Sequence, residues 1–161
     1  PISAALSTAE IKSRWRMDVD EINGITIIND SYNANPESMA AALRTMALIS
    51  QETGGVSWAF LGRMNELGAS SAQEHAEIGQ LVTKIGIDNL VSIGTSDYLT
   101  QLSEAIDRGE SAVHFFEDKT SALALVEHFA VGDVVLVKAS RSEEFNLLAE
   151  LMREKLNEGA E

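Results

Sequence analysis

The chain contains no cysteine, so neither a disulfide framework nor a thiolate metal site is available to it. Cations are scarce: 12 Lys plus Arg stand against 25 Asp plus Glu, a formal net charge of -13. Nucleic acid and anionic membrane surfaces both require a basic face, and this balance argues against either partner. No apolar run approaches the length of a membrane span, and no cleavable signal pattern opens the sequence, so a cytoplasmic protein is expected. The usual phosphate cradles are missing too. There is no Gly-Lys dipeptide and hence no P-loop, and no G-x-G-x-x-G, H-E-x-x-H or G-x-S-x-G segment. If a nucleotide binds, another domain must hold most of its phosphates. No metal site is expected within this chain.

What remains is an ordinary globular composition, 45% hydrophobic over 161 residues, enough for the core of one domain. The first residue is Pro1. That is compatible with a piece of a longer protein, and equally with a lost initiator Met or a removed tag.

The pattern alternates strand-like and helix-like segments. Trp15 to Val19 and Ile25 to Ile28 flank Asn23-Gly24, a hairpin signal. Pro36 suits a first helical position with Asn35 as its cap. Met39, Leu43, Met46 and Ile49 then follow at helical spacing. Val56–Leu61 reads as a buried parallel strand. Ala72–Ile85 reads as a helix with a stripe of Ile78, Leu81, Val82 and Ile85. Asn89–Ile93, Val113–Phe116 and Val134–Val137 read as strands. Tyr98–Ile106, Lys119–Phe129 and Glu143–Leu156 read as helices, the last with Phe145, Leu148, Leu151 and Met152 inward. The expectation is a single α/β domain over residues 1–161. It is Rossmann-like and three-layered, a mostly parallel sheet of about six strands with helices on both faces and an antiparallel edge hairpin.

In a parallel sheet the carboxyl ends of all strands share one edge, where ligands bind. Three unusual loops follow strands here. The first is Asn29-Asp30-Ser31-Tyr32-Asn33-Ala34-Asn35. The second is Gly62-Arg63-Met64-Asn65-Glu66-Leu67-Gly68. The third is Lys138-Ala139-Ser140-Arg141. Their carboxylates, cations, amides and hydroxyls suit a phosphorylated, carboxylate-bearing ligand. Lys138 and Arg141 weigh most, because they flank a small Ala-Ser pair between a strand and a helix. His75 falls on the apolar stripe of its helix, where a half-buried packing role is at least as plausible as a ligand role.

The run Asn29 to Met39 resembles the signature opening the C-terminal domain of the ATP-dependent Mur ligases. Leu61-Gly62-x-Met64-x-Glu66-Leu67-Gly68, with His75 and Gly79, resembles the second motif of the same family. Asp133 to Arg141 resembles the third, and Arg14-Trp15-Arg16-Met17 the start of the domain. Within the family, the residues look most like members that join D-alanyl-D-alanine to UDP-MurNAc-tripeptide. The resemblance implies a three-domain enzyme of peptidoglycan precursor synthesis, in which a central domain brings the P-loop and Mg²⁺ ligands. The tripeptide carboxylate would be phosphorylated by ATP, and the amine of D-alanyl-D-alanine would attack the acyl phosphate. It further implies nucleotide contacts from Asp30, Tyr32, Asn33 and Asn35. Lys138 and Arg141 would be catalytic, and Ser140, Arg141 and Glu66 would contact substrate. Ala139 stands where the family usually has Gly; if that backbone needed a positive φ, the methyl would cost roughly 1 kcal/mol. A folylpolyglutamate-synthetase-like ligase domain usually has His before Asn-Pro, where Ala34 stands here. A stand-alone nucleotide-binding module and an adaptor remain compatible with the residues alone.

Overall fold

The computed structural model describes residues 17–95, 102 and 111–159. The hairpin forms where Asn-Gly places it. Asn23 and Gly24 both take positive φ (54° and 82°), as the tight turn that matches strand twist requires. β1 (Asp18–Ile22) and β2 (Ile25–Asn29) pair antiparallel, with Asp18 opposite Asn29. The first strand therefore starts later than the expected Trp15; Trp15 and Arg16 lie outside the described residues.

Helix α1 (Pro36–Thr53) begins with a capping box: the Asn35 side chain accepts the Ser38 N–H at 2.8 Å, and the Ser38 hydroxyl accepts the Asn35 N–H at 3.1 Å. It stops at Gly54, φ 74°. Met39, Leu43 and Met46 are fully buried along its inner face. Strand β3 (Ser57–Leu61) is buried at every position. Next come α2 (Ser71–Lys84), β4 (Asn89–Ile93) and β5 (Ala112–Phe116). The helix expected over Tyr98–Ile106 lies outside the described residues except for Leu102, which is helical and buried.

The helix expected over Lys119–Phe129 is one α-helical turn, α3 (Lys119–Ala122), continued by a 3₁₀ segment, Leu123–His128. After β6 (Val134–Lys138) a 3₁₀ turn, Arg141–Glu143, leads to α4 (Phe145–Gly159). Glu144 separates the two with a left-handed φ of 55°. Leu151 was expected inside and is exposed. At 100° per residue it lies about 120° from the centre of the stripe that buries Phe145, Leu148, Ala149, Met152 and Leu156.

The six strands lie in the order β1-β2-β6-β3-β4-β5, all parallel except the β1–β2 pair. Two cores sit on opposite faces. α1 and α2 pack with Ile28, Ala59, Leu61, Leu90, Val134 and Leu136 on one. The Leu123–His128 segment and α4 pack with Ile27, Phe60, Val91, Val135 and Val137 on the other. The chain leaves β2 and β3 toward the α1 face but leaves β6, which lies between them, toward the α4 face. The carboxyl end of β6 is thus a topological switch point, where loops diverge and open a crevice.

Candidate functional site

The strand register decides which loop residues meet. Asn29 pairs with Val137 across β2 and β6, so the next residues, Asp30 and Lys138, are neighbours on the α1 face. The Lys138 ammonium, 1% exposed, lies 2.8 Å from Asp30 Oδ2 and also donates to the carbonyls of Asn33 at 2.8 Å and Asp30 at 3.4 Å. Burial dominates the electrostatics of both groups. It raises the pKa of Asp30 and lowers that of Lys138, while their mutual attraction opposes both shifts. Its three acceptors make it the clip that folds the first loop back over β6.

Beside that clip is a crevice of about 200 Å³ lined by Met17, Asp30, Tyr32, Asn33, Asn35, Ser38 and Lys138. All four residues expected to contact nucleotide line it. The Asn35 side-chain carbonyl is occupied by the helix cap. Tyr32 is 59% exposed and divides this crevice from a second one.

The second crevice, on the α4 side, has about 310 Å³ and is lined by Asp18, Asn29, Ser31, Tyr32, Arg141 and Asn146. Arg141 lies over the Tyr32 ring at 5.3 Å, within cation–π range. It makes no ion pair among the described residues.

Ser140 faces inward. Its backbone N–H donates to the Arg63 carbonyl at 3.0 Å, and its hydroxyl accepts the Asn65 N–H at 2.7 Å. The Asn65 amide donates to the Ser142 hydroxyl, and the Arg63 guanidinium lies 3.8 Å from Glu143. The second and third loops are therefore cross-tied. His75, expected half-buried, is fully buried and holds the base of the second loop. Its Nε2 accepts the Met64 N–H at 3.0 Å, and Nδ1 lies 2.7 Å from the Ser71 carbonyl. One acceptor and one donor fix a neutral imidazole with the proton on Nδ1, and burial, the largest influence, pushes its pKa down. Glu66 is exposed at φ 63° and lines a separate crevice with Arg63, Met64, Asn65, Leu67, Gly68 and Ser71. It does not share a crevice with Arg141.

Ala139 has no positive φ, so its methyl introduces no backbone strain. The room it needs is supplied by Gly62, whose Cβ, if present, would stand 2.8 Å from that methyl and 2.6 Å from the Phe145 ring. The third motif also divides in two. Asp133 sits at the opposite edge of the sheet, where its carboxylate accepts from the Val56 and Ala130 N–H groups and the Trp58 indole; it holds the fold. Among the described residues no group of three or more His, Cys, Asp or Glu is placed to hold a metal ion, and no helix is long and apolar enough to cross a membrane.

Sequence reasoning named Asn29, Ser31 and Ser38 within the first motif without giving them a role, and passed over Asp18 and Asn146. Asp18 becomes visible only through the β1–β2–β6 register, which no local pattern encodes.

Comparison with known proteins agrees with this arrangement. The family described as Mur ligase, glutamate ligase domain, matches residues 15–141. A UDP-N-acetylmuramoyl-tripeptide–D-alanyl-D-alanine ligase from Mycobacterium tuberculosis is 37% identical over 94% of this chain and 33% of its own length. The Escherichia coli protein of the same name is 34% identical over 72% of the chain and 24% of its own length. The chain thus spans about a quarter to a third of the length of these curated relatives. Among solved structures, MurF ligase from Thermotoga maritima in complex with ADP superposes with a TM-score of 0.74 at 25% identity, over 89% of this chain and 31% of that one. MurF from Acinetobacter baumannii superposes with a TM-score of 0.75 at 26% identity, over 87% and 30%. With the three loops that follow β2, β3 and β6 gathered at the carboxyl edge of this sheet, the chain belongs to the Mur ligase glutamate ligase domain family.

Proposed function

We propose that this chain is the C-terminal domain of an ATP-dependent ligase that adds D-alanyl-D-alanine to UDP-MurNAc-tripeptide. The observation that carries the reading is the convergence of the β2, β3 and β6 loops at one switch point, beside a guanidinium with no ion pair among the described residues. Relatives 37% and 34% identical to the chain bear the name of that ligase.

The α1-side crevice is about 200 Å³, below the roughly 300–1,000 Å³ typical of a complete small-molecule pocket. It suits part of a nucleotide. Asp30 and Asn33 offer hydrogen bonds to base or ribose, and the exposed Tyr32 ring offers a stacking face. The remaining phosphates and Mg²⁺ belong to a central domain outside this chain. ATP supplies the phosphoryl group that converts the tripeptide carboxylate into an acyl phosphate. The dipeptide amine attacks that carbonyl, loses a proton, and phosphate departs as the amide forms. Arg141 is the cation able to reach substrate or developing negative charge. Lys138 and Ser140 act at one remove: Lys138 holds the first loop, and Ser140 ties the second loop to the third.

The test is steady-state kinetics of the full-length enzyme. Arg141→Ala should lower kcat/KM for amide formation by about a hundredfold, the usual scale for one charged contact to a transition state, with unchanged thermal stability. Wild-type kinetics in this variant would remove Arg141 from the site.

A further inference from the structure

The second loop rests on a ring that reaches none of the three crevices. His75, on the inner face of α2, is 0% exposed, and its Nε2 accepts the Met64 N–H at 3.0 Å. Its Nδ1–H donates at 2.7 Å to the Ser71 carbonyl, one helical turn earlier, which fixes the ring against rotation. Met64 is itself buried, so its amide depends on that acceptor.

The next residue carries the contact onward. The Asn65 N–H donates to the Ser140 hydroxyl at 2.7 Å, and the Ser140 N–H donates to the Arg63 carbonyl at 3.0 Å. Ser140 directly precedes Arg141. Hydrogen bonds alternating with peptide links thus run from His75 through Met64, Asn65 and Ser140 to the turn that bears the guanidinium. The far end of that turn is pinned separately, because the Lys119 ammonium donates to the Glu143 carbonyl at 2.8 Å. A shift of the second loop is therefore taken up at Ser140 and Arg141.

We propose that His75 is a positioning residue for the ligase site and a pH-sensitive one: neutral, it holds the second and third loops, and with them Arg141, in place, and as imidazolium it releases them. This rests on the ligase reading above and adds a regulation of the same site. A second proton on the ring turns Nε2 from acceptor to donor, facing the Met64 N–H. Two donors then meet, and the buried amide is left unpaired. Burial is the largest influence on the ring and holds its pKa below the ordinary 6.5. Arg63, in the second loop, also disfavours the imidazolium, whereas the Ser71 carbonyl and Glu74, both in α2, favour it. The tie is therefore complete at neutral pH and lost on acidification below 6.5.

The experiment follows kcat/KM for amide formation by the full-length enzyme with ATP·Mg²⁺, UDP-MurNAc-tripeptide and D-alanyl-D-alanine, from about pH 7.5 to about pH 5. In wild type it should fall by about tenfold along an acid limb, the scale of one buried hydrogen bond left unmade. His75→Gln can place an amide oxygen near the position of Nε2 but cannot take up a proton. It should stay within about threefold of wild type at about pH 7.5 and lack the acid limb. His75→Leu accepts nothing, and should be about tenfold down at about pH 7.5 with no further fall on acidification. In Ser140→Ala, where the relay is already cut, His75→Leu should cost less than about twofold more. Thermal melts at both pH values establish that each assayed variant is folded; if His75→Leu is not, the profile of His75→Gln decides. Four results overturn the proposal: a wild-type profile with no acid limb, an unchanged limb in His75→Gln, wild-type kcat/KM at about pH 7.5 in folded His75→Leu, or additive losses in the double variant. Absence of amide product from the wild-type enzyme is a separate outcome that removes the ligase reading itself.

Discussion

Replacing Lys138 by Met keeps the length of the side chain and removes its ammonium. Asp30 is then left 6% exposed with no cation beside it, and the Asn33 carbonyl loses its donor at 2.8 Å. Removing one member of a buried ion pair costs about 3–5 kcal/mol, a large share of the roughly 5–15 kcal/mol that holds a domain folded. The cost has a predictable pH dependence. Burial already raises the folded-state pKa of Asp30 despite the attraction of Lys138, and loss of that attraction raises it further. A carboxyl with a raised folded pKa contributes stability below its unfolded value near 3.8 and loses it as pH rises through the folded value. The deficit of Lys138→Met should therefore be full near neutral pH and shrink on acidification toward about pH 4. Asp30→Asn combined with Lys138→Met should cost less than the sum of the two single changes, because the double variant buries no unpaired charge. Urea denaturation followed by circular dichroism measures each stability from the midpoint and slope. A loss below about 1 kcal/mol with an unchanged slope, or a deficit independent of pH, would refute the assignment of Lys138 as a buried clip.

The buried, neutral His75 has its pKa pushed below the ordinary 6.5, so the stability it contributes is present above that value and lost as pH falls toward its folded pKa. His75→Gln should be less stable than wild type at about pH 7.5, with a gap that narrows by about pH 5.5; thermal midpoints at the two pH values check this. Gly62→Ala places a methyl 2.6 Å from the Phe145 ring and 2.8 Å from Ala139 Cβ, and should destabilise by about 1–3 kcal/mol. Ala139→Gly in the same chain should recover part of that loss in denaturant melts, and no recovery would mean that the Phe145 contact carries the whole effect. Asn35→Ala removes the Ser38 cap and should cost about 1 kcal/mol in the same assay.

Much of the architecture was legible because local chemistry and global fold agree. Asn23-Gly24 dictates the hairpin, Asn35-Pro36 starts α1, and alternating strands and helices imply the parallel sheet. The three loops could be placed at one edge from strand direction alone. Side-chain roles were less legible, because they depend on which strands become neighbours. Lys138 reads as a free cation until β6 is inserted beside β2, which puts Asp30 next to it. Ser140 reads as a ligand group until the β3 loop brings the Asn65 N–H to its hydroxyl. Asp18 carries no local signal at all; only its pairing with Asn29 brings it to the crevice. The inward placement expected of Leu151 fails for a simpler reason, since α4 needs one face and Leu151 lies off it.

The most direct measurement is amide product formed from ATP·Mg²⁺, UDP-MurNAc-tripeptide and D-alanyl-D-alanine, by the full-length protein and by the 161-residue chain side by side. A domain that supplies one wall of a shared site predicts one ADP per amide from the full-length protein and no turnover from the chain alone. Turnover by the isolated chain, or a full-length protein that makes no such amide, would contradict it.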